Sequence, residues 1–302
     1  MSDAPLYPYT STELNNALNE IVATLFAGKT ADTLPKMLVT AGVESSGKTY
    51  LLEKSLLPSG RYENFVRLYL PEYRTQHPHY TEMSKVGVLH VYQHTEAFVR
   101  ELGERIFGEA FKRKLNIIME CAFDAIDFVH VPTSAKAAGY QFDIHVVGCN
   151  REFAHVSSIK RALKSLENRE LERFVSLDTL HFSLGNAQAI LLAFESAAKT
   201  VAGSQISLYE RGFGYLKERT LRAQSTFSQA YDGSMVVSSS ATAYSFSAYS
   251  AIVNRLVYSL AERDEIIKEC HRLLAKTTAH ADQVPDFVYH ELYGHVIKYV
   301  NR

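Results

Sequence analysis

A single eight-residue segment constrains the fold of this 302-residue chain more than any other part of the sequence. It fits the phosphate-binding loop (P-loop) pattern G-x-x-x-x-G-K-[ST] and lies between two apolar runs, Met37–Val39 and Tyr50–Leu52. Backbone N–H groups of such a loop, with the N-terminus of the helix that follows, form a donor surface for phosphate oxygens. The pattern predicts a strand–loop–helix nucleotide site; the alternative is an ordinary glycine-bearing turn. The loop residues are Gly42, Val43, Glu44, Ser45, Ser46, Gly47, Lys48 and Thr49.

Two side chains of this loop have specific expected roles. Lys48 would reach the outer phosphates of ATP, and Thr49 would place its hydroxyl on Mg²⁺. Phosphoryl transfer asks little covalent work of a protein, but it needs cations on the developing charge and a carboxylate that orients or deprotonates the acceptor hydroxyl. The loop therefore implies a nucleotide-dependent phosphotransferase with ATP and Mg²⁺ as cofactors.

Composition narrows the class of protein. Hydrophobic residues make up 46% of the chain, which suffices for a large core and excludes a disordered protein. A formal net charge of -1 provides no bulk positive field for nucleic-acid binding, and three widely separated cysteines favour reduced thiols. We find no secretion signal at the N-terminus and no stretch long enough to cross a bilayer, so we expect a cytoplasmic protein without membrane contact.

Short apolar runs alternate with helical patterns in the first half of the chain. This alternation predicts an α/β protein of the P-loop kinase fold, with a parallel sheet flanked by helices and binding sites beyond the carboxyl ends of the strands. The pattern changes after about residue 214. We therefore expect a kinase domain over 1–215 and a mostly helical C-terminal extension over 216–302. The predicted strands cover 36–41, 65–70, 116–120 and 142–147.

Charged residues near the predicted strand ends are the candidates for chemistry. Glu120 closes the third strand, where it would face the P-loop, although a carboxylate capping the next segment is the alternative. Glu72 follows the second strand and could act as the base, or it could be a solvated turn residue. From Arg151 to about Arg173 the pattern is helical and rich in cations, which on charge alone favours a solvated helix face. The cations include Lys160, Arg161, Lys164, Arg169 and Arg173.

Several motifs agree in order and spacing with one known family. The run Gln76-His77-Pro78-His79-Tyr80 is dense in hydrogen-bonding and aromatic groups, and Glu104 and Glu120 are sixteen residues apart. Together with the P-loop and two arginines, Arg161 and Arg173, these features make the chain resemble the zeta toxins, which are the kinase halves of bacterial toxin–antitoxin pairs. The resemblance runs from about Leu14 to His181.

The resemblance implies an activity and a set of site residues. The activity is ATP-dependent phosphorylation of a sugar hydroxyl on a UDP-activated amino sugar, characteristically UDP-N-acetylglucosamine, and the partner is a small antitoxin protein. Arg161 and Arg173 would bind the transferring phosphate. Neither a membrane nor a nucleic acid is expected as a partner. The residues implied to line the sugar-nucleotide site are Gln76, His77, Tyr80, Glu104 and Glu120.

Two positions depart from the family pattern. The catalytic aspartate of the family falls on Pro71, which cannot act as a base, and a common arginine of the family falls on Asp124. Either Glu72 or Asp124 could therefore be the working base. Two further hypotheses remain: a P-loop kinase of another hydroxyl, such as an antibiotic, a nicotinamide dinucleotide or a nucleic-acid end, and a catalytically weakened nucleotide-binding interaction protein.

The segment His290-Glu291-Leu292-Tyr293-Gly294-His295 is similar to a zinc protease motif. Its histidines are five residues apart, so they do not stack on one face of a helix as zinc ligation requires. We therefore expect no zinc site there.

Overall fold

The computed structural model describes residues 6–68, 70–168, 170, 172–212, 219–240, 242–255 and 259–300. Seven strands form one sheet. They are β1 (Lys36–Ala41), β2 (Phe65–Leu68), β3 (Asn116–Cys121), β4 (Gln141–Gly148), β5 (Gln205–Arg211), β6 (Arg219–Gln229) and β7 (Met235–Ser238). The spatial order is β2-β3-β1-β4-β5-β6-β7, and the first five strands are parallel. The predicted α/β fold class is confirmed.

Helices cover both faces of this sheet. The second helix is short and continues as a π turn, Leu52–Leu56, and a 3-10 turn, Leu57–Ser59. None of the helices among the described residues combines the length and the apolar character needed to cross a bilayer. The helices are α1 (Ser11–Leu25), α2 (Lys48–Leu51), α3 (Tyr80–Val86), α4 (Val88–Lys112), α5 (Val131–Ala137), α6 (Arg151–Asn168), α7 (Leu177–Ala198), α8 (Phe246–Val253), α9 (Leu260–Thr278) and α10 (Asp286–Val300).

Side chains of the central strands alternate between two apolar cores, because successive residues of a strand point to opposite faces. On β4, Phe142, Ile144 and Val146 belong to the larger core, which also contains residues of α1, α4 and α7. Val147 belongs to a smaller core with residues of α2 and the π turn. The same alternation on β3 places Ile118 in the smaller core, so Glu120, two residues later, faces the side of α2.

The chain after residue 212 contributes to the sheet as well as to helices. Strand β6 pairs antiparallel with β5, and β7 pairs antiparallel with β6. The sequence did not indicate these strands, because the inward positions of β6 are occupied in part by small or polar residues such as Ala223 and Ser225. The boundary predicted between residues 215 and 216 lies outside the described residues, as does Arg169, and the division into two units stays a prediction.

The partly buried carboxylate of Asp143 contacts three other residues on the face of the sheet that carries the smaller core. The Asp143 carboxylate accepts hydrogen bonds from the Tyr62 hydroxyl at 2.7 Å and from the Gln205 amide at 2.7 Å. His145 Nε2 lies 2.8 Å from Asp143 Oδ1. Burial alone would raise the pKa of the Asp143 carboxyl, but these partners outweigh it and lower the pKa to about 2. The ionised carboxylate therefore stabilises the contact between β4, β5 and the segment before β2.

We expect Asp143→Asn to lower the free energy of unfolding by about 2 kcal/mol at pH 7, since the pKa of the carboxyl is lower in the folded protein than in the unfolded chain. A carboxyl whose pKa is lowered by folding contributes fully to the free energy of unfolding above about pH 4, and this contribution is lost as the pH falls toward 2. Urea unfolding of both proteins across this range checks the sign. A difference between them that persists unchanged at pH 2 would contradict the assignment, and the exposed Asp264→Asn serves as the control.

Candidate functional site: a phosphate loop beside a polar cavity

The P-loop connects β1 to α2 at the carboxyl end of the sheet. Its two glycines have positive φ angles, 156° at Gly42 and 95° at Gly47. A Cβ at Gly42 would lie 2.5 Å from Ser46 Oγ and 2.6 Å from the Val147 carbonyl oxygen, so a side chain does not fit there. Gly42 N–H donates to the Cys121 carbonyl at 3.0 Å, which holds the start of the loop against β3.

Lys48 is buried inside the loop. Its ammonium group donates to the Val43 carbonyl oxygen at 3.3 Å, and 8% of the residue is exposed. Burial lowers the pKa of this ammonium group, whereas the neighbouring carboxylates of Glu120 and Glu44 act in the opposite direction. A buried ammonium group surrounded by loop backbone suits an anionic phosphate, which would stabilise its charge.

Thr49 and Glu120 form the second part of the site. The Thr49 hydroxyl donates to Glu120 Oε2 at 2.5 Å, and the Arg67 guanidinium donates to Glu120 Oε1 at 2.9 Å. Arg67 also contacts Glu53 at 3.2 Å. A hydroxyl and a carboxylate side by side are the hard oxygen ligands that Mg²⁺ prefers. The arrangement is compatible with the metal-binding role predicted for Thr49 and offers Glu120 as a second oxygen ligand. The role of Glu120 in the acceptor site, which the family resemblance implies, stays a prediction.

Arg173 lies where the P-loop meets the segment after β3. Its guanidinium donates to Glu44 Oε1 of the loop at 3.0 Å and lies 3.9 Å from Asp124 Oδ2. Burial alone would lower the pKa of Arg173, but the Glu44 and Asp124 carboxylates raise it. Arg161 pairs with Glu172 at 2.7 Å, and its charge is close enough to lower the pKa of Lys48. Both predicted arginines thus lie around the loop.

A cavity of about 350 Å³ opens beside Arg173. It lies between α4, α7 and the segment that follows β3. Asp124 has its side chain 34% exposed and reaches this cavity. The lining residues are Tyr92, Gln93, Glu96, Arg100, Asp124, Arg173, Thr179, Phe182 and Ser183. The phosphate loop and a polar cavity of small-molecule size therefore share one arginine.

The other predicted acceptor residues lie elsewhere. Glu72, Gln76 and Glu104 are exposed, and Tyr80 is partly exposed at the start of α3. The cavity is lined by none of these four residues and not by His77. Their roles in the acceptor site stay predictions.

His77 packs in the interior rather than facing a cavity. Its ring contacts those of Tyr9 and Phe98, with centroids 5.7 Å and 4.9 Å away, and 3% of the residue is exposed. Burial, with the nearby His79, lowers the pKa of His77 to about 4, so the ring is neutral at pH 7. Its Nδ1 accepts from the His79 N–H at 3.2 Å. These contacts give His77 a place in the packing of the turn that precedes α3.

Sequence reasoning missed a buried arginine beneath the cavity. Arg74 donates to Thr95 Oγ1 and to Glu96 Oε2, both at 2.7 Å, and its guanidinium lies 4.1 Å from the centre of the Tyr92 ring. Glu96 and Tyr92 both line the cavity, so Arg74 orients two of its side chains. In the sequence, the signal for Arg74 is a cation within the polar segment 72–80, which also contains His77.

Two further arginines, from β5 and β6, donate hydrogen bonds to backbone carbonyls of the P-loop. Arg211 donates to the Ser45 carbonyl and to Ser157 Oγ of α6, and it is 4% exposed. Arg219 donates to the Gly47 carbonyl at 2.8 Å. Bonds to these carbonyls fix peptide units whose N–H groups belong to the phosphate-binding surface. No local motif marks either arginine, because each is more than 160 residues from the loop.

The sequence model of the zeta toxin family matches residues 22–212. This chain belongs to the zeta toxin family. Curated relatives include Toxin zeta of Streptococcus pyogenes, 23% identical over 159 residues, and Toxin PezT of Streptococcus pneumoniae serotype 4, 23% identical over 157 residues. These alignments cover 52% and 51% of this chain and 55% and 60% of the relatives. The chain thus spans little more than half the length of the curated zeta toxins that it matches.

Solved structures share the fold of this zeta toxin family member. One is from a characterisation of the PezAT chromosomal toxin–antitoxin system of Streptococcus pneumoniae, with a TM-score of 0.62, 19% identity, and coverage of 89% of this chain and 98% of that chain. Another is the AvrRxo1-ORF1:-ORF2 structure with ATP, with a TM-score of 0.57, 12% identity, and coverage of 94% and 87%. At these identities the likeness concerns the fold.

We expect Arg211→Ala to weaken ADP binding to this zeta toxin family member by about ten- to a hundredfold, since charge-assisted hydrogen bonds contribute roughly 1.5–3 kcal/mol. Calorimetric titration with ADP and Mg²⁺ checks this without requiring turnover. Arg113→Ala is the control, because Arg113 lies at the end of α4 with its side chain 52% exposed. Equal affinities for the Arg211 variant and the wild type would show that the loop keeps its shape without this arginine.

Proposed function

We propose that this protein is an ATP-dependent kinase that phosphorylates a sugar hydroxyl of UDP-N-acetylglucosamine or a related UDP-activated amino sugar, and that it is the toxin of a toxin–antitoxin pair. One observation carries the proposal: Arg173 contacts the P-loop through Glu44 and reaches the polar cavity beside Asp124. A phosphoryl group moving from the loop to an acceptor in the cavity would pass this guanidinium.

The donor side has the groups that a nucleoside triphosphate requires. The Ser45 and Ser46 hydroxyls are buried and make no hydrogen bond within the described part of the protein, so they are available to phosphate oxygens. Lys48 provides a cation among the loop amides. Thr49 and Glu120 would hold Mg²⁺, which supplies charge neutralisation on the phosphates when bound. Arg161 and Arg173 would stabilise the charge that develops during transfer, and lid arginines of this kind contribute about 10³–10⁵ in rate.

On the acceptor side we assign the base to Asp124. Its carboxylate reaches the cavity next to Arg173, whereas Glu72 is exposed and lies outside the cavity lining. Asp124 accepts the proton of the acceptor hydroxyl. The hydroxyl oxygen then bonds to the γ-phosphorus, the bond from that phosphorus to the β–γ bridging oxygen breaks, and ADP leaves.

The structural relatives support two broader parts of the proposal, the use of ATP and the pairing with an antitoxin. One structural relative is described with ATP, and another is described as part of a toxin–antitoxin system. A small antitoxin that covers the loop or the cavity would keep such a kinase inactive in its host. Exposed Phe182 at the cavity rim, 62% exposed, is an apolar contact available to a ligand or to such a partner.

We expect the purified protein to consume ATP in the presence of UDP-N-acetylglucosamine and Mg²⁺, and Lys48→Ala to abolish this turnover. Coupled detection of ADP, with mass spectrometry of the sugar nucleotide, checks both points. Parallel reactions contain other UDP-sugars, a nicotinamide dinucleotide and an aminoglycoside. Turnover with one of the last two alone would reassign the acceptor, and ATP binding without turnover on the whole panel would make the protein a nucleotide-binding interaction protein.

We expect Asp124→Asn to lower kcat by about 10²–10⁴, the usual contribution of a general base, and Glu72→Gln to change it only a few-fold. Steady-state kinetics with the identified acceptor separate the two carboxylates. Asp127→Asn is the matched control, because Asp127 is exposed and only three residues away. A large loss in the Glu72 variant with an active Asp124 variant would instead place the base after β2.

A further inference from the structure

The two C-terminal helices, α9 and α10, pack against α6 through an apolar core of their own. Both helices follow the segment 22–212 that matches the zeta toxin family, and the proposed mechanism gives them no role. Helix α6 carries Arg161, and α7 begins shortly after Arg173. The core residues are Val156, Ile159, Leu163, Ile266, Cys270, Leu273, Val284, Val288, Leu292 and Tyr299.

A buried polar cluster crosses this apolar contact. Glu291 Oε1 of α10 accepts a hydrogen bond from the Leu177 N–H at 3.0 Å, and Glu291 Oε2 lies 2.8 Å from His155 Nε2 of α6. His155 Nδ1 in turn lies 2.8 Å from His295 Nε2, one turn further along α10. His155 is 0% exposed and His295 is 3% exposed. One carboxylate of α10 therefore joins α6 to the first residue of α7.

The cluster does not have the spacing of a metal centre. Two nitrogen ligands of one zinc ion stand about 3.3 Å apart, because each Zn–N bond is about 2.0–2.1 Å long in a tetrahedron. The two histidine nitrogens are closer, at a hydrogen-bonding distance. His155 Nδ1 and His295 Nε2 share one hydrogen bond, whereas His155 Nε2 and Glu291 Oε2 form a short polar contact. Burial, with His155 nearby, lowers the pKa of His295 to about 3, so His295 is neutral.

The position of the cluster relative to the two arginines gives it a consequence for catalysis. His155 precedes Arg161 by six residues on the same helix, and Leu177 follows Arg173 by four residues. The N–H of Leu177 belongs to the first turn of α7, where backbone donors have no partner within the helix. Glu291 supplies that partner and a negative charge at the positive end of the helix. It thereby fixes both segments that carry the arginines.

We propose that Glu291, oriented by His155 and His295, is a positioning residue that holds Arg161 and Arg173 over the phosphate site. The α9–α10 pair acts as a brace for these two segments. This inference rests on the proposed kinase function, in which the two arginines stabilise the transferring phosphate. Because a displacement of about 1 Å can cost on the order of a hundredfold in rate, we expect the loss of the partly buried Glu291 carboxylate to impair transfer.

The test compares Glu291→Ala with Glu291→Gln, whose amide oxygen still accepts from the Leu177 N–H. We expect Glu291→Ala to lower kcat by roughly ten- to a hundredfold while the Kd for ADP stays within about twofold, because the P-loop is untouched. We expect Glu291→Gln to recover most of the rate. Leu292→Ala is the control for a general loosening of α10, since Leu292 is the adjacent buried residue of the same core and its side chain cannot hydrogen-bond to His155 or to the Leu177 N–H.

Hydrogen–deuterium exchange separates this inference from the proposed function, because it needs no acceptor. In Glu291→Ala we expect faster exchange in peptides that cover residues 151–161 and 172–180, and unchanged exchange over 37–50. This result supports the brace even if the wild type has no kinase activity. Unchanged exchange in the two segments overturns it. A kcat loss in Leu292→Ala equal to that in Glu291→Ala overturns it as well. If Glu291→Ala does not fold, the inference is overturned when Glu291→Gln exchanges like the wild type while Leu292→Ala shows altered exchange in the two segments.

Discussion

The buried ammonium group of Lys48 is the constraint on which the site depends. A charge inside the protein is costly unless carboxylates or ligands compensate for it, and here Glu120 and Glu44 provide the nearby negative charge. The same two carboxylates are shared with other groups: Glu120 with Thr49 and Arg67, and Glu44 with Arg173. The loop, the end of β3 and the segment before α7 are thus connected by ion pairs and hydrogen bonds that share these two carboxylates.

Local sequence signals were sufficient for the fold of the first half of the chain and for the position of the P-loop between a strand and a helix. The P-loop, its flanking elements and Glu120 follow from a motif and from the alternation of a strand. Arg211, Arg219 and the Arg74–Glu96 pair could not be predicted, because they depend on contacts between distant segments. The run around His77 shows a different difficulty: its composition suggests a ligand site, the buried His77 ring packs against Tyr9 and Phe98, and its role in the acceptor site stays a prediction.

The two departures from the family pattern are related in space as well as in sequence. Pro71 removes a carboxylate after β2, and Asp124 introduces one after β3, the neighbouring strand of the sheet. Both positions are near the carboxyl edge, where parallel strands bring their ends together. A carboxylate therefore lies at this edge after β3, and its neighbour there is Arg173.

Strand β6 shows why the functional unit extends past the segment that matches the family. It covers the outer edge of β5 and also delivers Arg219 to the Gly47 carbonyl. A chain ending at residue 212 would leave the backbone donors and acceptors of β5 exposed as an open sheet edge, which promotes aggregation. Evolutionary exchange of the C-terminal region is therefore constrained at this point, because any replacement must close the sheet and support the phosphate loop at the same time.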